Sequence, residues 1–127
     1  MRRKIIILSA TLIIVLVIQI GASTFTHRVV DKALADAVEI RRAVLNLEWD
    51  QAKEYLQPLD DSWDEACRLM DWWIASAKME SIHASLRELS VLLDAHDYPH
   101  SLLLIEKLRD DLMDIAQWGE LSFSNVV

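Results

Sequence analysis

Residues 2–25 read RRKIIILSATLIIVLVIQIGASTF, a basic triplet followed by a long apolar run. The run carries two hydroxyl side chains before Gln19, and no charged residue follows the triplet until Arg28. As a helix, Ile5 to Phe25 would be about 30 Å long, which matches the hydrocarbon core of a bilayer. The sequence therefore predicts a transmembrane signal anchor within residues 1–27. Its basic start would lie in the cytoplasm, and the rest of the chain would lie outside the cytoplasmic membrane.

A cleaved secretory signal is the alternative, because Gly21 and Ser23 are small residues of the kind found at cleavage sites. We predict an uncleaved anchor, since the apolar run is at or beyond the upper end of the usual signal-peptide length of about 7–15 residues. A mature N-terminus near Ser23 or Thr24 would contradict that prediction. A buried core helix does not fit, because the segment is apolar on all sides and basic only at one end.

The charge of the chain is divided unevenly about the apolar run. Of 13 Lys and Arg, three precede it, whereas all 20 Asp and Glu follow it. The outer part therefore carries 10 positive and 20 negative charges, net −10. This balance argues against nucleic acid or anionic lipid headgroups as partners. It permits loosely held cations or a basic partner, and it also fits a solvated surface that keeps the domain soluble.

The residues beyond the anchor have the composition of a small helical domain without disulfides. Cys67 is the only cysteine, so no internal disulfide can form, and we interpret it as a small core residue. The whole chain has two glycines and two prolines, which favours helices over a strand-rich fold. The predicted fold class is all-α.

Helical periodicity divides the outer domain, residues 28–119, into four helices. Pro58 lies within the second, where its missing N–H and its ring predict a kink or break near Leu56–Gln57. Asp97 is the predicted N-cap of the fourth helix. Residues 120–127 lack the helical period and are predicted to form an extended tail. The residues predicted to face the core are Val30, Ala33, Leu34, Ala37, Ile40, Val44, Leu47, Trp49, Ala52, Leu56, Leu59, Trp63, Ala66, Met70, Trp73, Met79, Ile82, Leu86, Leu89, Leu93, Tyr98, Leu102, Ile105, Leu108, Leu112 and Ile115.

The two predicted hairpins, residues 29–73 and 77–117, resemble each other at an offset of 49 residues. The offset aligns two successive helices and the turn between them. One hairpin cannot bury its apolar face alone, so the second must pack against it. The sequence leaves two arrangements open, a TPR-like array and a four-helix bundle.

Two groups of titratable residues were considered as sites. His96 and His100 have a metal-ligand spacing, but the turn around Asp97 interrupts any helix between them, so we interpret them as turn and cap residues. His27 and His83 are interpreted as surface or interface residues. The second group is an acidic face formed by Asp60, Asp61, Asp64 and Glu65, with Asp71 nearby.

The acidic face has two interpretations. It could bind a cation, or it could be a solvated surface. No glycine lies near it, as a calcium loop of the EF-hand type would require. We therefore predict no dedicated metal site and no cofactor. The sequence also lacks a nucleophile–base pair and a glycine-rich phosphate loop, so we predict that the protein is not an enzyme.

Tryptophan is abundant for a domain of this size. Adjacent Trp72 and Trp73 cannot both point inward from one helix, so one of them could mark a contact surface. Trp72, Trp73 and Trp118 are the predicted partner-contact residues. We expect a protein–protein interaction or scaffold module that uses the groove between the hairpins. A cation- or small-ligand-sensing domain on the acidic face is the alternative.

Several motifs together resemble a family of short bacterial membrane proteins, the domain of unknown function family four-three-six-three. They are the stretch Gly21–His27, the helix start Trp49–Ala52, the Trp72–Trp73 pair, the Ile82–Leu89 helix and the closing Leu121–Val127. The resemblance extends from end to end and implies a single membrane segment with a helical outer domain. Its members have no known activity, so it implies no mechanism.

Overall fold

The computed structural model describes residues 1–72, 74 and 76–124, with side chains at all of these positions except 76 and 118–124. They form four α-helices, α1 (Arg2–Leu45), α2 (Trp49–Met70), α3 (Ser76–Asp94) and α4 (Tyr98–Ser124). No strand occurs in this part of the chain, so the all-α prediction is confirmed.

Helix α1 joins the apolar N-terminal run and the first helix of the outer domain in 44 continuous residues. The N-terminal part is long and apolar enough to cross a membrane, and none of its most apolar window is buried. Burial begins near Thr26, where α1 enters the bundle. Gly21 does not interrupt the helix, because a single glycine weakens a helix by only about 1 kcal/mol.

The four helices form a closed ring of contacts. Each helix packs against two neighbours, α1 with α2 and α4, and α3 with α2 and α4. Within the described residues, α1 does not contact α3 and α2 does not contact α4. An array of stacked hairpins would instead place α3 against α1. Of the two arrangements left open by the sequence, the structure therefore has the four-helix bundle.

The core consists of the apolar faces that the sequence predicts, with a few differences. Trp63 and Ile105 are among its fully buried side chains, whereas Trp49, Leu34 and Leu102 lie partly buried at its edge. Leu47 was predicted to face the core but is 62% exposed, because α1 ends before it and the chain turns there. The predicted core position Trp73 lies outside the described residues.

The two hairpin turns have the same backbone structure. Leu47 and His96, 49 positions apart, have the left-handed φ angles 59° and 54°. Around Leu47, the Glu48 N–H donates to the Ala43 carbonyl at 2.8 Å. At the same offset, the Asp97 N–H donates to the Leu92 carbonyl at 3.0 Å. This pattern is a Schellman motif, which satisfies carbonyls at the helix end and reverses the chain.

Pro58 does not break α2, contrary to the sequence prediction. The helix continues from Trp49 to Met70 with Pro58 inside it. Pro58 and Glu54, whose carbonyl lacks its usual N–H donor, are both exposed, so water can replace the missing hydrogen bond. The Ser62 hydroxyl also donates to the Pro58 carbonyl at 2.7 Å.

The predicted extended tail is also wrong over residues 120–124. Helix α4 continues through Gly119 to Ser124. The sequence contains no proline after Pro99, and a lone glycine does not end a helix whose neighbours continue it. The last part of the predicted tail, residues 125–127, lies outside the described residues.

Candidate functional site

The most open side of the bundle is a groove between α2 and α3. Its volume is about 540 Å³, and its floor is formed by Cys67 from α2 and the buried Met79 from α3. Acidic and basic side chains alternate along its rims. The groove is lined by Asp64, Cys67, Asp71, Met79, Glu80, His83, Ala84 and Arg87. This is the groove between the two hairpins that the sequence singled out.

Two carboxylates of the predicted acidic face meet a histidine at this groove. Asp60 and Asp64 lie one helical turn apart on α2, so both point to the same side. The His83 Nδ1 on α3 lies 3.0 Å from the Asp64 Oδ1. One ligand atom from each of Asp60, Asp64 and His83 lies within 4.8 Å of the other two.

Asp60 gives this cluster an acceptor without a partner. Its Oδ1 is buried and makes no hydrogen bond within the described part of the chain. An imidazole and two carboxylates are the ligand types that bind zinc. The cluster could therefore hold a divalent cation after small rotations of its side chains.

The other two members of the acidic face point elsewhere. Asp61 is exposed and accepts a hydrogen bond from the Gln57 amide at 3.3 Å. Glu65 is exposed and does not line the groove. Successive helical residues differ by about 100° in direction, so the sequence-adjacent pairs separate into two faces. The predicted four-residue face is thus divided, and Asp71 joins the groove instead.

Cys67 is half-buried in the floor of the groove. Burial raises the pKa of its thiol to about 11, and the nearby carboxylates of Asp64 and Asp71 add to the shift. The thiolate is the reactive form of cysteine, so this thiol is unreactive at neutral pH. The interpretation as a packing residue rather than a nucleophile is consistent with this environment.

The tryptophans occupy different environments. Trp63 is 1% exposed and is the largest core side chain, whereas Trp72 is 87% exposed in the turn after α2. Its predicted fellow contact residue Trp73 lies outside the described residues, and so does the Trp118 side chain on α4. Trp72 is therefore the one predicted partner-contact residue whose side chain the structure places.

His96 and His100 have separate partners. The His96 ring stacks on Trp49, with 5.0 Å between the centroids. The Asp97 Oδ1 accepts the His100 backbone N–H at 3.2 Å, as expected for an N-cap. The His100 Nδ1 lies 2.9 Å from the Asp97 Oδ2. These contacts support the interpretation of turn and cap residues.

His83 is the group whose role the sequence did not reveal. It was interpreted as a surface or interface residue, but it faces Asp64 across the groove. The two positions lie 19 residues apart on different helices, so no local spacing signals the contact. Their alignment depends on the turn between α2 and α3, whose geometry the sequence does not reveal.

The sequence profile of one family, described as a domain of unknown function (DUF4363), matches residues 22–126. This match covers the outer domain and begins at the end of the apolar run. No curated protein matches the chain, and no solved structure matches it.

Proposed function

We propose that this chain, which belongs to the DUF4363 family, is a single-pass membrane protein whose bundle binds a partner outside the cytoplasmic membrane. The N-terminal part of α1 supplies the anchor, with its basic end in the cytoplasm. The bundle supplies the binding surface. The proposed role is binding rather than catalysis.

The observation that carries the binding role is the α2–α3 groove. Helices α2 and α3 make the least extensive contact of the four neighbouring pairs, so this side of the bundle stays open. The other neighbouring helix pairs pack more extensively, and a cation–anion pair such as Arg41 and Glu106 bridges α1 and α4 at 3.3 Å. A groove with an apolar floor and charged rims suits an extended peptide or a partner helix.

The charges of the rim indicate the chemistry of the partner. Asp64, Asp71 and Glu80 contribute three carboxylates, whereas Arg87 contributes one fixed positive charge. Complementary charge increases association rates and disfavours partners of the same sign. The proposed partner therefore presents a basic segment with a small apolar side chain that reaches the floor beside Cys67.

Photocrosslinking in the native membrane tests this proposal. A photoreactive residue at Ala84, which is exposed in the groove, should capture a partner through a basic segment. Glu80→Lys should abolish that capture, because it reverses a rim charge. Glu88→Lys is the matched control, since Glu88 is exposed on the same helix but does not line the groove.

Two outcomes would contradict a groove-binding role. One is equal capture by the Glu80→Lys and Glu88→Lys proteins. The other is capture from Leu103, an exposed α4 residue outside the groove, of the same species as from Ala84. The predicted contact at Trp72 is tested in the same way, since Trp72→Ala should lower capture only if this side chain touches the protein partner.

A second candidate function is divalent-cation sensing at the Asp60–Asp64–His83 cluster. It is favoured by the mixed donor set on two helices and by the unpartnered Asp60 oxygen. A cation there would tie α2 to α3 along their least extensive contact. Binding would thus raise stability and narrow the groove at one step.

Calorimetry on the full chain with zinc, calcium and magnesium separates this candidate from a solvated acidic surface. Heat of binding with zinc should be lost in Asp60→Asn, Asp64→Asn and His83→Gln. Asp61→Asn should retain it, because Asp61 points away from the cluster. Absence of both heat and a melting shift at millimolar ion would discard the sensing role.

A further inference from the structure

Helix α2 returns the chain to the end of the bundle at which α1 enters it. A small cavity between the two helices brings Ala33 of α1 beside Trp63 of α2. Trp72 lies nine residues beyond Trp63, and nine residues back from Ala33 along α1 is Thr24. At 1.5 Å per residue both steps measure about 13 Å, so Trp72 lies level with Thr24. Thr24 is at the outer end of the apolar run Ile5–Phe25.

Helix α4 leads to the same level. Arg41 of α1 pairs with Glu106 of α4 at 3.3 Å. Ser124, the last residue of α4, lies 18 residues beyond Glu106, and 18 residues back from Arg41 is Ser23. The two helices that run back toward the N-terminal part of α1 therefore both end where the apolar run ends.

The side chains at this end of the bundle suit a lipid interface. Trp72 is 87% exposed, and Leu69, one turn earlier, is 56% exposed. Indole rings prefer the headgroup level of a bilayer, where the ring is shielded and the N–H stays hydrated. Arg28 and Arg68 are exposed about one turn farther from the membrane, within reach of lipid phosphates. Asp71 faces the groove instead.

We infer that Trp72 and Leu69 insert into the outer headgroup region of the bilayer that α1 crosses. The bundle then rests on the membrane surface and does not stand away from it on a free stalk. This seat would fix the direction in which the α2–α3 groove faces. The inference rests on the proposed membrane span of α1, and it assigns Trp72 to lipid and not to a protein partner.

Site-specific fluorescence on the full chain in phosphatidylcholine vesicles tests the seat. Because Cys67 is the only cysteine, Cys67→Ala gives a background for single labels. An environment-sensitive fluorophore is attached at Leu69→Cys, at Ile13→Cys within the apolar run, or at Leu103→Cys. Leu103 is the matched control, being 68% exposed near the opposite end of the bundle. Far-UV circular dichroism verifies that each variant is folded.

The label at position 69 should emit at shorter wavelength than the label at 103. It should also be quenched severalfold more strongly by headgroup nitroxides than by nitroxides deep in the acyl chains. The label at 13 should show the reverse depth preference. Adding Trp72→Ser should shift the emission at position 69 toward that of water, because the neighbouring anchor is lost.

Each failure has a distinct meaning. Water-like emission at 69 with hydrocarbon-like emission at 13 would overturn the seat and leave the membrane span intact. Water-like emission at 13 would overturn the span and the seat together. Self-quenching between labels at 69 would place a second copy of the chain on this surface, and lipid-independent shielding would place a protein there. Either result would also overturn the inference.

Discussion

The Trp49 indole and the His96 imidazole lie stacked, with 5.0 Å between ring centroids and 4° between ring planes. Trp49 begins α2 and His96 is in the turn before α4, so the stack joins the two hairpin turns at one end of the bundle. The contact is long-range and lies at the surface, with His96 exposed. It therefore ties the hairpins together independently of the core.

A double-mutant cycle should measure this tie. Trp49→Ala and His96→Ala should show a coupling energy of about 0.5–1.5 kcal/mol in the free energy of unfolding, as for other stacked ring pairs. The cycle of Trp49→Ala with His100→Ala is the control, because His100 pairs with Asp97 instead. Coupling of similar size in both cycles would show that the stack itself contributes nothing.

Leu47 has a left-handed φ of 59°, which strains any residue with a Cβ atom. Its side chain is mostly exposed, so little packing is lost on its removal. Leu47→Gly should therefore raise the free energy of unfolding by about 1 kcal/mol. His96→Gly relieves the same strain but loses the Trp49 stack, so its gain should be smaller.

Thermal or denaturant unfolding followed by circular dichroism measures both variants. Leu103→Gly, at an exposed interior position of α4, should lower stability by about 1 kcal/mol. If Leu47→Gly destabilised the protein as much as Leu103→Gly, the strained turn would not be present in solution.

The helices could be predicted from the sequence because each has a regular apolar face and each hairpin turn interrupts that face. Leu93 and Met79, for example, were placed correctly by spacing alone. Leu47 was misplaced because a leucine at the end of a periodic run continues the pattern on paper. Its exposure follows from a turn that uses the left-handed region without the glycine that usually marks it.

The site was less accessible to sequence reasoning because it depends on contacts between helices. Asp60 and Asp64 could be paired by their four-residue spacing, but the His83 contact requires the relative placement of α2 and α3. Closure of the bundle was likewise left open, since α1 and α4 are far apart in the sequence. Pairs such as Arg41 and Glu106 become visible only in the folded chain.

Asp97 should make stability depend on pH in the acidic range. Its hydrogen bonds with the His100 ring, and then the His100 backbone N–H, lower its pKa below the usual 3.8. A carboxyl whose pKa is lower in the folded state adds stability above its unfolded pKa. That contribution is complete at neutral pH and is lost as the pH falls below 3.8 through the folded-state value.

Asp97→Asn provides the comparison, since asparagine is an equally good N-cap but does not titrate. The difference in melting temperature between the original protein and Asp97→Asn should be constant from neutral pH to about pH 5 and then shrink. Melting curves that remain parallel down to pH 3 would refute a stabilising role for the Asp97 charge.

Cys67 should react with alkylating agents far more slowly than an ordinary exposed thiol. With a pKa of about 11, caused first by burial, its thiolate fraction at pH 8 is about one part in a thousand. The rate of alkylation by iodoacetamide should rise about tenfold per pH unit between pH 8 and 10, since only the thiolate reacts. Mass spectrometry of quenched time points gives this rate.

The single-cysteine protein Cys67→Ala, Leu69→Cys is the matched control in detergent, because Leu69 is exposed one turn face away on the same helix. Its thiol should react at neutral pH at an ordinary rate. Asp64→Asn and Asp71→Asn should each raise the rate at Cys67 modestly, because both carboxylates oppose formation of the thiolate. Rapid alkylation of Cys67 at pH 7 would mean that the α2–α3 groove opens enough to hydrate the thiol, and a partner entering the groove should then protect it.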